Sequence, residues 1–351
     1  MSKHPMIIDF NMPEEKYHAY PAFSVSGIKD IQVSPLDFWS RSWMNPEKEN
    51  KTTPAMKLGS AYHKRILEGE EAYNEIYAVN PNKEDYPNAL VTVGDMQDWL
   101  EAVGLKKAGK RDDLIQRVLE HDNTALIWEH FVETQLEGKE VLTFEQHQDI
   151  DIAAKTIEAM PGIANSFSGG YSEVSLFWEE DGIPMKNRLD YLRPESIVDL
   201  KSFSNSLRKP VDTAVSMAVA NNKYHIQGCV YLHGLEKVKK GILDGTTKIQ
   251  GNVEEDFIEA MANHDKHRFF FIFQQADGVR NVLAREFREF ENYHGMGMSP
   301  NAYYQAGEKA FHTGLALFKQ CMEFFGEEKP WLPKTQPRAF VDDDFPLWLF
   351  D

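Results

Sequence analysis

The stretch from residue 171 to 202 alternates apolar and polar side chains in a way that predicts three consecutive β-strands. Val174, Leu176 and Trp178 occupy every second position of the first, and residues 183–192 and 197–202 read as two more. The proline and serine of the short segment between these two indicate a turn. We therefore expect residues 183–192 and 197–202 to pair as an antiparallel hairpin beside the first strand.

Longer segments on both sides of this hairpin carry the three- to four-residue spacing of amphipathic helices. The pattern predicts two helices within 24–43 that meet at Ser34-Pro35, two within 91–120, and single helices at 57–68, 126–160, 211–235 and 299–325. Further strands are expected at 268–274 and 279–287, and residues 236–256 are expected to be a charged linker. Strands and helices alternate in this way in α/β proteins. We predict an α/β fold with a central mixed β-sheet flanked by helices and a small helical insertion.

The insertion is expected at residues 88–122, after a proline-containing linker. Two short apolar faces there, one around Met96 and Leu100 and one around Leu114 and Val118, predict a helix pair with its own small core. The remaining boundaries follow from it. We expect an N-terminal helical part at 1–87, a core domain at 123–328 and an acidic, aromatic tail at 329–351.

Composition narrows the classes of protein that fit. The formal net charge of −17 argues against a protein that coats nucleic acid through bulk charge, although a local basic stripe would still bind a backbone. The two cysteines lie far apart in sequence and support neither a disulfide framework nor a cysteine-ligated metal cluster. No apolar run suggests a membrane span and no signal pattern begins the chain, so we expect a cytoplasmic protein without a membrane partner.

The candidate chemistry lies on the hairpin, at Asp190, Asp199 and Lys201. Side chains two apart on a strand share a face, which places Lys186 and Arg188 beside Asp190, and Asp199 beside Lys201. Two carboxylates that face each other repel, and a hard divalent cation such as Mg²⁺ relieves that repulsion. Lys201 would then hold a water molecule or stabilise a phosphate. A surface hairpin with ordinary ion pairs explains the spacing equally well.

A wider set of motifs favours the metal site. Asp190 followed by Asp199-Leu200-Lys201 resembles the D…(D/E)xK signature of the PD-(D/E)xK nuclease superfamily. The segments 24–39, 57–63 and 171–192, and a QxxxY motif at Gln227–Tyr231, stand in the order of the RecB-like and RecE-like branch. The chain is therefore similar to RecE-type exonucleases, which implies a restriction-endonuclease-like core.

The resemblance assigns roles to further residues. It implies that Asp190, Asp199, the Leu200 carbonyl and His63 hold Mg²⁺, or Mn²⁺ in its place. It also implies a catalytic contribution from Lys201 and from three residues near the site, and DNA contacts from four residues that precede or line it. The catalytic group is Glu173, Gln227 and Tyr231, with a surface position as the alternative for Glu173. The DNA-contacting group is Ser24, Ser26, Lys186 and Arg188. Helix capping is the alternative for the two serines, with Ser26 as the expected N-cap.

The predicted insertion resembles a SAP-type DNA-binding motif, through Gly104-Leu105 and Gly109-Lys110. Four cations gather around these glycines without an acid among them. We expect them to contact a duplex backbone, together with backbone donors at the start of the second helix. A solvated turn is the alternative. The four residues are Lys106, Lys107, Lys110 and Arg111.

The sequence thus predicts a Mg²⁺-dependent deoxyribonuclease that acts on double-stranded DNA ends. The RecE resemblance further implies 5′-to-3′ digestion, a ring-shaped homo-oligomer, a single-strand annealing partner and a role in phage-type recombination or repair. Two alternatives remain open at this point: a structure-specific endonuclease with the same site, and a non-catalytic DNA-binding adaptor that uses the SAP-like segment. The acidic tail is either a docking peptide for a basic groove or a packed chain end.

Overall fold

The computed structural model describes residues 5–49, 53–292, 297–333 and 341. The chain divides into two compact units. The first comprises residues 1–51, 168–278 and 283–351, and the second comprises 52–167 and 279–282. No helix within the described ranges is both long and apolar enough to traverse a lipid bilayer.

Secondary-structure elements are numbered along the chain. The strands are β1 (Met6–Asp9), β2 (Tyr77–Val79), β3 (Glu140–Leu142), β4 (Tyr171–Glu180), β5 (Ile183–Arg193), β6 (Ser196–Phe203), β7 (Thr247–Gln250), β8 (Arg268–Gln275), β9 (Val282–Phe287), β10 (Phe290–Asn292) and β11 (Met298–Pro300). The helices are α1 (Glu14–Ala19), α2 (Val25–Val33), α3 (Pro35–Arg41), α4 (Pro54–Leu67), α5 (Gly69–Ile76), α6 (Val93–Ala102), α7 (Arg111–His121), α8 (Trp128–Leu136), α9 (Phe144–Ala159), α10 (Val211–Asn222), α11 (Tyr224–Leu243), α12 (Glu255–Asn263) and α13 (Ala302–Phe325).

The first unit is built on a seven-stranded mixed sheet in the order β7-β1-β4-β5-β6-β8-β9. Strands β4, β5 and β6 form an antiparallel meander, which confirms the predicted hairpin. β6 then pairs in parallel with β8, so the chain between them must cross over the sheet, and α10, α11 and α12 make that crossover. The predicted α/β class, with a mixed sheet flanked by helices, is confirmed.

Helices cover both faces of this sheet. The main core joins Leu176, Trp178 and Leu189 of the sheet to Ile226 and Val230 of α11, with α2 and α13 packed alongside. On the opposite face, a smaller cluster brings Tyr17 of α1 against Phe177 and Ile7. Burial of apolar side chains on both faces holds the central strands in one register, because a one-residue slip would exchange the residues of the two faces and disrupt the packing of both clusters.

Two strands at one end of the sheet, β1 and the edge strand β7, were not predicted. β1 lies in a segment that had no assigned structure, and β7 follows α11 within residues 236–256, which were expected to be a linker. Both strands have only four residues, and they pair with each other in parallel. Such short segments carry too few residues for an alternation to stand out, and sheet pairing supplies the order instead.

The start of α2 also differs from the prediction. Its N-cap is Ser24 and not Ser26, because the Ser24 hydroxyl accepts the Gly27 backbone N–H at 3.4 Å. Ser26 lies inside the first turn and is exposed.

Near the end of the chain, Trp331 is fully buried against Phe38, Phe318 and Phe325. Most of the predicted tail, 334–340 and 342–351, lies outside the described residues.

The second unit contains two separate apolar clusters. One joins α6 and α7 through Met96, Leu100, Leu114 and Val118, with Leu105 packed against it, as the pattern indicated. The other gathers Ala61, Tyr73, Tyr77, Leu142 and Ile150. The unit begins and ends outside the expected insertion, at residues 52 and 167. The helix expected over 126–160 is divided into α8 and α9 by Gly138, which has a φ of +72°, and by β3, which pairs with β2.

Close helix packing in the first unit depends on Gly307. A Cβ at this α13 position would collide with the His225 carbonyl oxygen and lie 3.0 Å from the Cys229 Cβ on α11. We expect Gly307→Ala to lower the free energy of unfolding by roughly 1–3 kcal/mol, measured by urea denaturation. Gly59→Ala is the matched control, because Gly59 is also helical and has open space around it. The control should be neutral or stabilising by up to ~1 kcal/mol, and equal effects of both variants would contradict this account.

Candidate active site

The β5–β6 hairpin brings Asp190, Asp199 and Lys201 together. The strands pair through Tyr191 and Val198, so the next residues along, Asp190 and Asp199, lie across from each other. Beyond this point Asp190 Oδ2 accepts the Leu200 backbone N–H at 2.9 Å. Lys201 Nζ forms a short ion pair with Asp199 Oδ2 and lies 3.8 Å from Asp190 Oδ2. The three residues of the predicted motif therefore share one site.

The Asp199 carboxylate is the most buried charge of this group, with no exposed surface. A carboxylate in such a position needs partners, since desolvation disfavours its charge. Gln227 Nε2 of α11 donates to Asp199 Oδ1 at 2.6 Å, and Lys201 contacts the other oxygen. Gln227 was predicted to belong to the active-site network, and the structure places its amide on the central carboxylate.

The Lys201 ammonium is mostly buried, with 14% of its side chain exposed. Burial lowers the pKa of Lys201, but the carboxylates of Asp199 and Asp190 together outweigh it and hold this pKa above the usual lysine value. The ammonium also lies 5.4 Å from the centre of the Tyr224 ring. Lys201 is therefore charged at neutral pH and fixed within the site.

Tyr224 begins α11 at the sharp corner that follows α10. Lys223, at that corner, has a left-handed backbone with φ of +53°. The Tyr224 ring packs at 5.8 Å and 6.1 Å from the rings of Phe271 and Phe273 on β8. Burial raises the pKa of Tyr224 against the opposing effect of Lys201. The corner thus places the Tyr224 ring beside the carboxylates. One turn later, α11 brings the Gln227 amide to them.

The oxygen atoms at this site fit a hard divalent cation. The Lys201 ammonium contacts Asp199 Oδ2, and it lies 3.4 Å from the Leu200 carbonyl oxygen and 3.8 Å from Asp190 Oδ2. Three oxygens thus converge on one positive charge, and two carboxylates with a carbonyl are a donor set that Mg²⁺ accepts when water and phosphate complete its shell. Within the described ranges no group of three or more His, Cys, Asp or Glu side chains forms a metal site. A metal here would depend on substrate and water ligands.

Glu173 is held beside the site by an ion pair. It lies across from Asp190 in the β4–β5 register, between the pairs Ser172–Tyr191 and Val174–Leu189. Its Oε2 accepts Arg188 Nε at 2.5 Å. Glu173 also has a left-handed φ of +55°, which is rare for a residue other than glycine within a strand. The local backbone is therefore strained next to the carboxylates, and strain of this kind is common at functional sites.

Arg188 uses its guanidinium inside the fold. Besides Glu173, it donates to the Met12 carbonyl and to Ser175 Oγ, both at 3.0 Å, and 15% of its side chain is exposed. These three bonds use Nε and Nη1, and the predicted DNA contact of Arg188 stays a prediction. This guanidinium ties the N-terminal segment to β4 and β5.

Lys186 differs from its predicted role. Its ammonium donates to the carbonyl oxygens of Tyr17 at 2.8 Å, His18 at 3.1 Å and Tyr20 at 2.8 Å, which occupies all three of its hydrogens. Burial lowers the pKa of Lys186 to about 8. The residue fixes the turn after α1 and has no donor left for a DNA phosphate.

Ser24, Ser26 and Tyr231 line a cavity of about 180 Å³ in the first unit, together with Lys186. Ser24 caps α2, so one lone pair of its hydroxyl is already used. Burial raises the pKa of Tyr231 well above its usual value, while a hydrogen bond with Gln227 opposes the rise. The two serines and Tyr231 are thus gathered in one place. The DNA contacts of the serines and the catalytic contribution of Tyr231 stay predictions.

The remaining predicted residues lie in the second unit. His63 is on α4, and its role as a metal ligand stays a prediction. Of the basic cluster, Lys107 pairs with Glu101 at 2.7 Å and Arg111 pairs with Glu129 at 2.8 Å. Lys106 and Lys110 are exposed on the segment between α6 and α7. The SAP resemblance and the DNA contacts of all four residues stay predictions.

One basic residue near the carboxylates was not predicted. Lys29 of α2 extends its ammonium to the Asn222 carbonyl oxygen at 2.7 Å, and it lies 5.7 Å from the centre of the Tyr224 ring. Lys29 lies within the 24–39 segment of the resemblance, but only Ser24 and Ser26 of that segment were assigned a role. The relation of Lys29 to the site depends on where α2 meets the α10–α11 corner, which spacing alone does not reveal.

Comparison with known proteins agrees with this geometry. Residues 24–243, more than half of the chain, match the family described as "PDDEXK-like domain of unknown function (DUF3799)". The chain belongs to this family. No curated protein matches the sequence. A crystal structure named "Putative exonuclease" from Eubacterium rectale aligns with 91% of this chain and 88% of its own, at 15% identity and a TM-score of 0.48. The family assignment confirms the PD-(D/E)xK resemblance and covers Asp190, Asp199 and Lys201.

The buried ion pair generates a stability prediction. Lys201→Met leaves Asp199 without its cation, so we expect a loss of about 3–5 kcal/mol in the free energy of unfolding, measured in urea with EDTA present. Because the Lys201 pKa is raised, the contribution of the pair is complete below the pKa of an unfolded lysine and is lost only as pH rises through the folded value. The deficit of the variant should therefore be constant from about pH 6 to 9.

A second change tests the cause of that loss. Adding Asp199→Asn to Lys201→Met removes the uncompensated charge and should recover part of the stability. Lys248→Met on the exposed face of β7 controls for the loss of a lysine and should change little. If the double variant is less stable than Lys201→Met alone, the pair is not the source of the effect.

Proposed function

We propose that the chain is a Mg²⁺-dependent deoxyribonuclease that hydrolyses phosphodiester bonds at the ends of duplex DNA. The observation that carries the proposal is the convergence of Asp190, Asp199 and the Leu200 carbonyl on the Lys201 ammonium, in a chain of the PDDEXK-like family. Oxygen donors for a divalent ion beside a fixed cation are what phosphoryl hydrolysis requires.

The residues of the site have distinct tasks in this proposal. Asp190, Asp199 and the Leu200 carbonyl would hold the metal, the RecE resemblance adds His63 as a further ligand, and Mn²⁺ would be expected to substitute for Mg²⁺. A bound metal supplies Lewis-acid polarisation of the phosphate and stabilises the negative charge that develops on it. Gln227 keeps Asp199 oriented through the 2.6 Å hydrogen bond. Lys201 would orient the attacking water or donate to a phosphate oxygen.

The RecE resemblance extends the proposal to the direction of digestion and to the biological setting. We infer 5′-to-3′ digestion, a ring-shaped homo-oligomer and a single-strand annealing partner that receives the product, in recombination or repair of phage type. The basic segment between α6 and α7 is assigned to the duplex backbone. A structure-specific endonuclease with the same residues is the second candidate, and cleavage of a covalently closed circle distinguishes it from an exonuclease.

Loss of either carboxylate should abolish hydrolysis. We expect Asp190→Asn and Asp199→Asn to lower the cleavage rate of end-labelled linear duplex in Mg²⁺ at least about 100-fold, because each removes negative charge from the metal site. Asp181→Asn is the matched control, since Asp181 lies on the exposed β4–β5 turn and Asn also accepts its left-handed backbone. Wild-type rates in either site variant would refute the assignment. A wild-type protein that binds duplex but cuts no DNA in Mg²⁺ or Mn²⁺ would favour the adaptor alternative.

The basic segment of the second unit should govern affinity and not chemistry. Changing Lys106, Lys107, Lys110 and Arg111 to Ala should weaken duplex binding and flatten its salt dependence, because phosphate contacts release counterions. The double variant Lys106→Ala/Lys110→Ala is cleaner, since it spares the pairs with Glu101 and Glu129. Single-turnover cleavage at saturating protein should stay near wild type. An unchanged affinity and salt slope in both variants would identify a solvated turn.

A further inference from the structure

Lys29 is a second lysine beside the carboxylate site. It lies on α2, inside the segment that the family match covers, and its side chain is partly buried. Its ammonium donates at 2.7 Å to the carbonyl oxygen of Asn222, which is the last residue of α10. One ammonium has three hydrogens, and this is the one hydrogen bond that the described residues show for it. Lys29 thus differs from Lys186, whose three hydrogens are all used.

Lys29 and Lys201 border the same aromatic ring. Their ammonium groups lie 5.7 Å and 5.4 Å from the centre of the Tyr224 ring. The positive charge of Lys201 and the negative charge of Asp199 both act on Lys29, so it lies within the field of the site. Lys201 is committed to a carboxylate, whereas no carboxylate among the described residues forms an ion pair with Lys29.

The net charge of the site gives a reason for a second lysine beside it. Asp190, Asp199 and Lys201 together carry one net negative charge, and a divalent cation brings the total to one positive charge. A phosphodiester has one negative charge and gains a second as water attacks it. A second lysine beside the site would bring its charge to two positive, which matches the two negative charges of the phosphate during attack. A fixed ammonium provides this charge without reorganisation.

We propose that Lys29 binds the non-bridging oxygens of a substrate phosphate, so that the two cations beside the Tyr224 ring have different functions. Lys201 serves the metal-binding carboxylates, and Lys29 binds the DNA backbone. This inference rests on the proposed nuclease function and names a phosphate-binding residue for it. Burial and the charge of Lys201 also lower the pKa of Lys29 to about 8. An anionic phosphate would offset both effects, which is consistent with a site that receives an anion.

A structural role is the competing explanation. By donating to the Asn222 carbonyl, Lys29 would hold the α10–α11 corner that presents Tyr224 and Gln227 to the site. The two roles need different properties of the side chain. The structural role needs a hydrogen-bond donor, whereas phosphate binding needs a positive charge.

Three variants of the full chain separate these properties. Lys29→Arg keeps both the charge and a donor, Lys29→Gln keeps a donor without charge, and Lys29→Met keeps neither. Lys223→Asn is the matched control, because it removes a lysine from the same corner and Asn accepts the left-handed backbone there. Each variant is tested for binding of a short duplex in EDTA at several salt concentrations, for single-turnover cleavage in Mg²⁺ and for melting temperature.

Phosphate binding predicts that charge decides the result. Lys29→Gln and Lys29→Met should both weaken duplex binding in EDTA roughly ten-fold or more, as expected for loss of a charged hydrogen bond, and lower the salt slope by about one. Both should slow single-turnover cleavage, while Lys29→Arg stays within a few-fold of wild type. Lys29→Gln should melt near the wild-type temperature, and Lys223→Asn should bind and cut like wild type.

Other outcomes overturn the inference and are separable from failure of the nuclease proposal. If Lys29→Gln binds and cuts like wild type while Lys29→Met melts earlier, Lys29 is a structural donor. If Lys29→Gln, Lys29→Met and Lys223→Asn lose the same affinity, the effect is one of general charge. If the wild type cuts no DNA in either metal, the nuclease proposal fails, while binding in EDTA still decides whether Lys29 contacts phosphate.

Discussion

The contact between buried Asp199 and the Lys201 ammonium is the constraint around which the first unit is arranged. A carboxylate without exposed surface is stable only when both of its oxygens have partners. One partner is Lys201 on β6 itself and the other is Gln227 on α11, so α11 must lie at a fixed distance from β6. The apolar packing of α11 on β4 and β5 sets that distance. The packing of α11 on the sheet therefore forms the core and sets the geometry of the site at the same time.

The sequence predicted those parts of the site whose geometry is local. Asp190, Asp199 and Lys201 lie on one hairpin, and strand periodicity alone brings them together. Gln227 was found only through a motif, because its distance to Asp199 depends on how the crossover returns to the sheet. Lys29 was missed for the same reason, since the resemblance of segment 24–39 pointed only to its two serines. Strands β1 and β7 at one end of the sheet were missed because four residues show no clear alternation, and pairing with neighbouring strands determines them.

Basic side chains near the carboxylates show that position on a strand face does not determine function. Lys186 and Arg188 share the strand parity of Asp190, and both donate to groups of the N-terminal segment. Their charges hold residues 12–20 against the sheet, where Tyr17 covers Phe177. The number of carbonyl partners distinguishes such a residue from one that can receive a ligand, and that number is visible only in the folded chain. Lys29, with a single carbonyl partner, is the contrasting case.

The parallel pairing of β6 with β8 has a consequence for how the protein is made. Strand β6 ends at Phe203 and its partner starts at Arg268, so a ribosome must deliver the entire crossover before this pair can form. Pairings between residues so distant in sequence slow folding, because the chain must close a long loop first. Until then, one side of β6 is an open edge next to Asp199. We expect that nascent chains depend on protection of this edge, and that fragments ending before β8 aggregate instead of accumulating as partly folded protein.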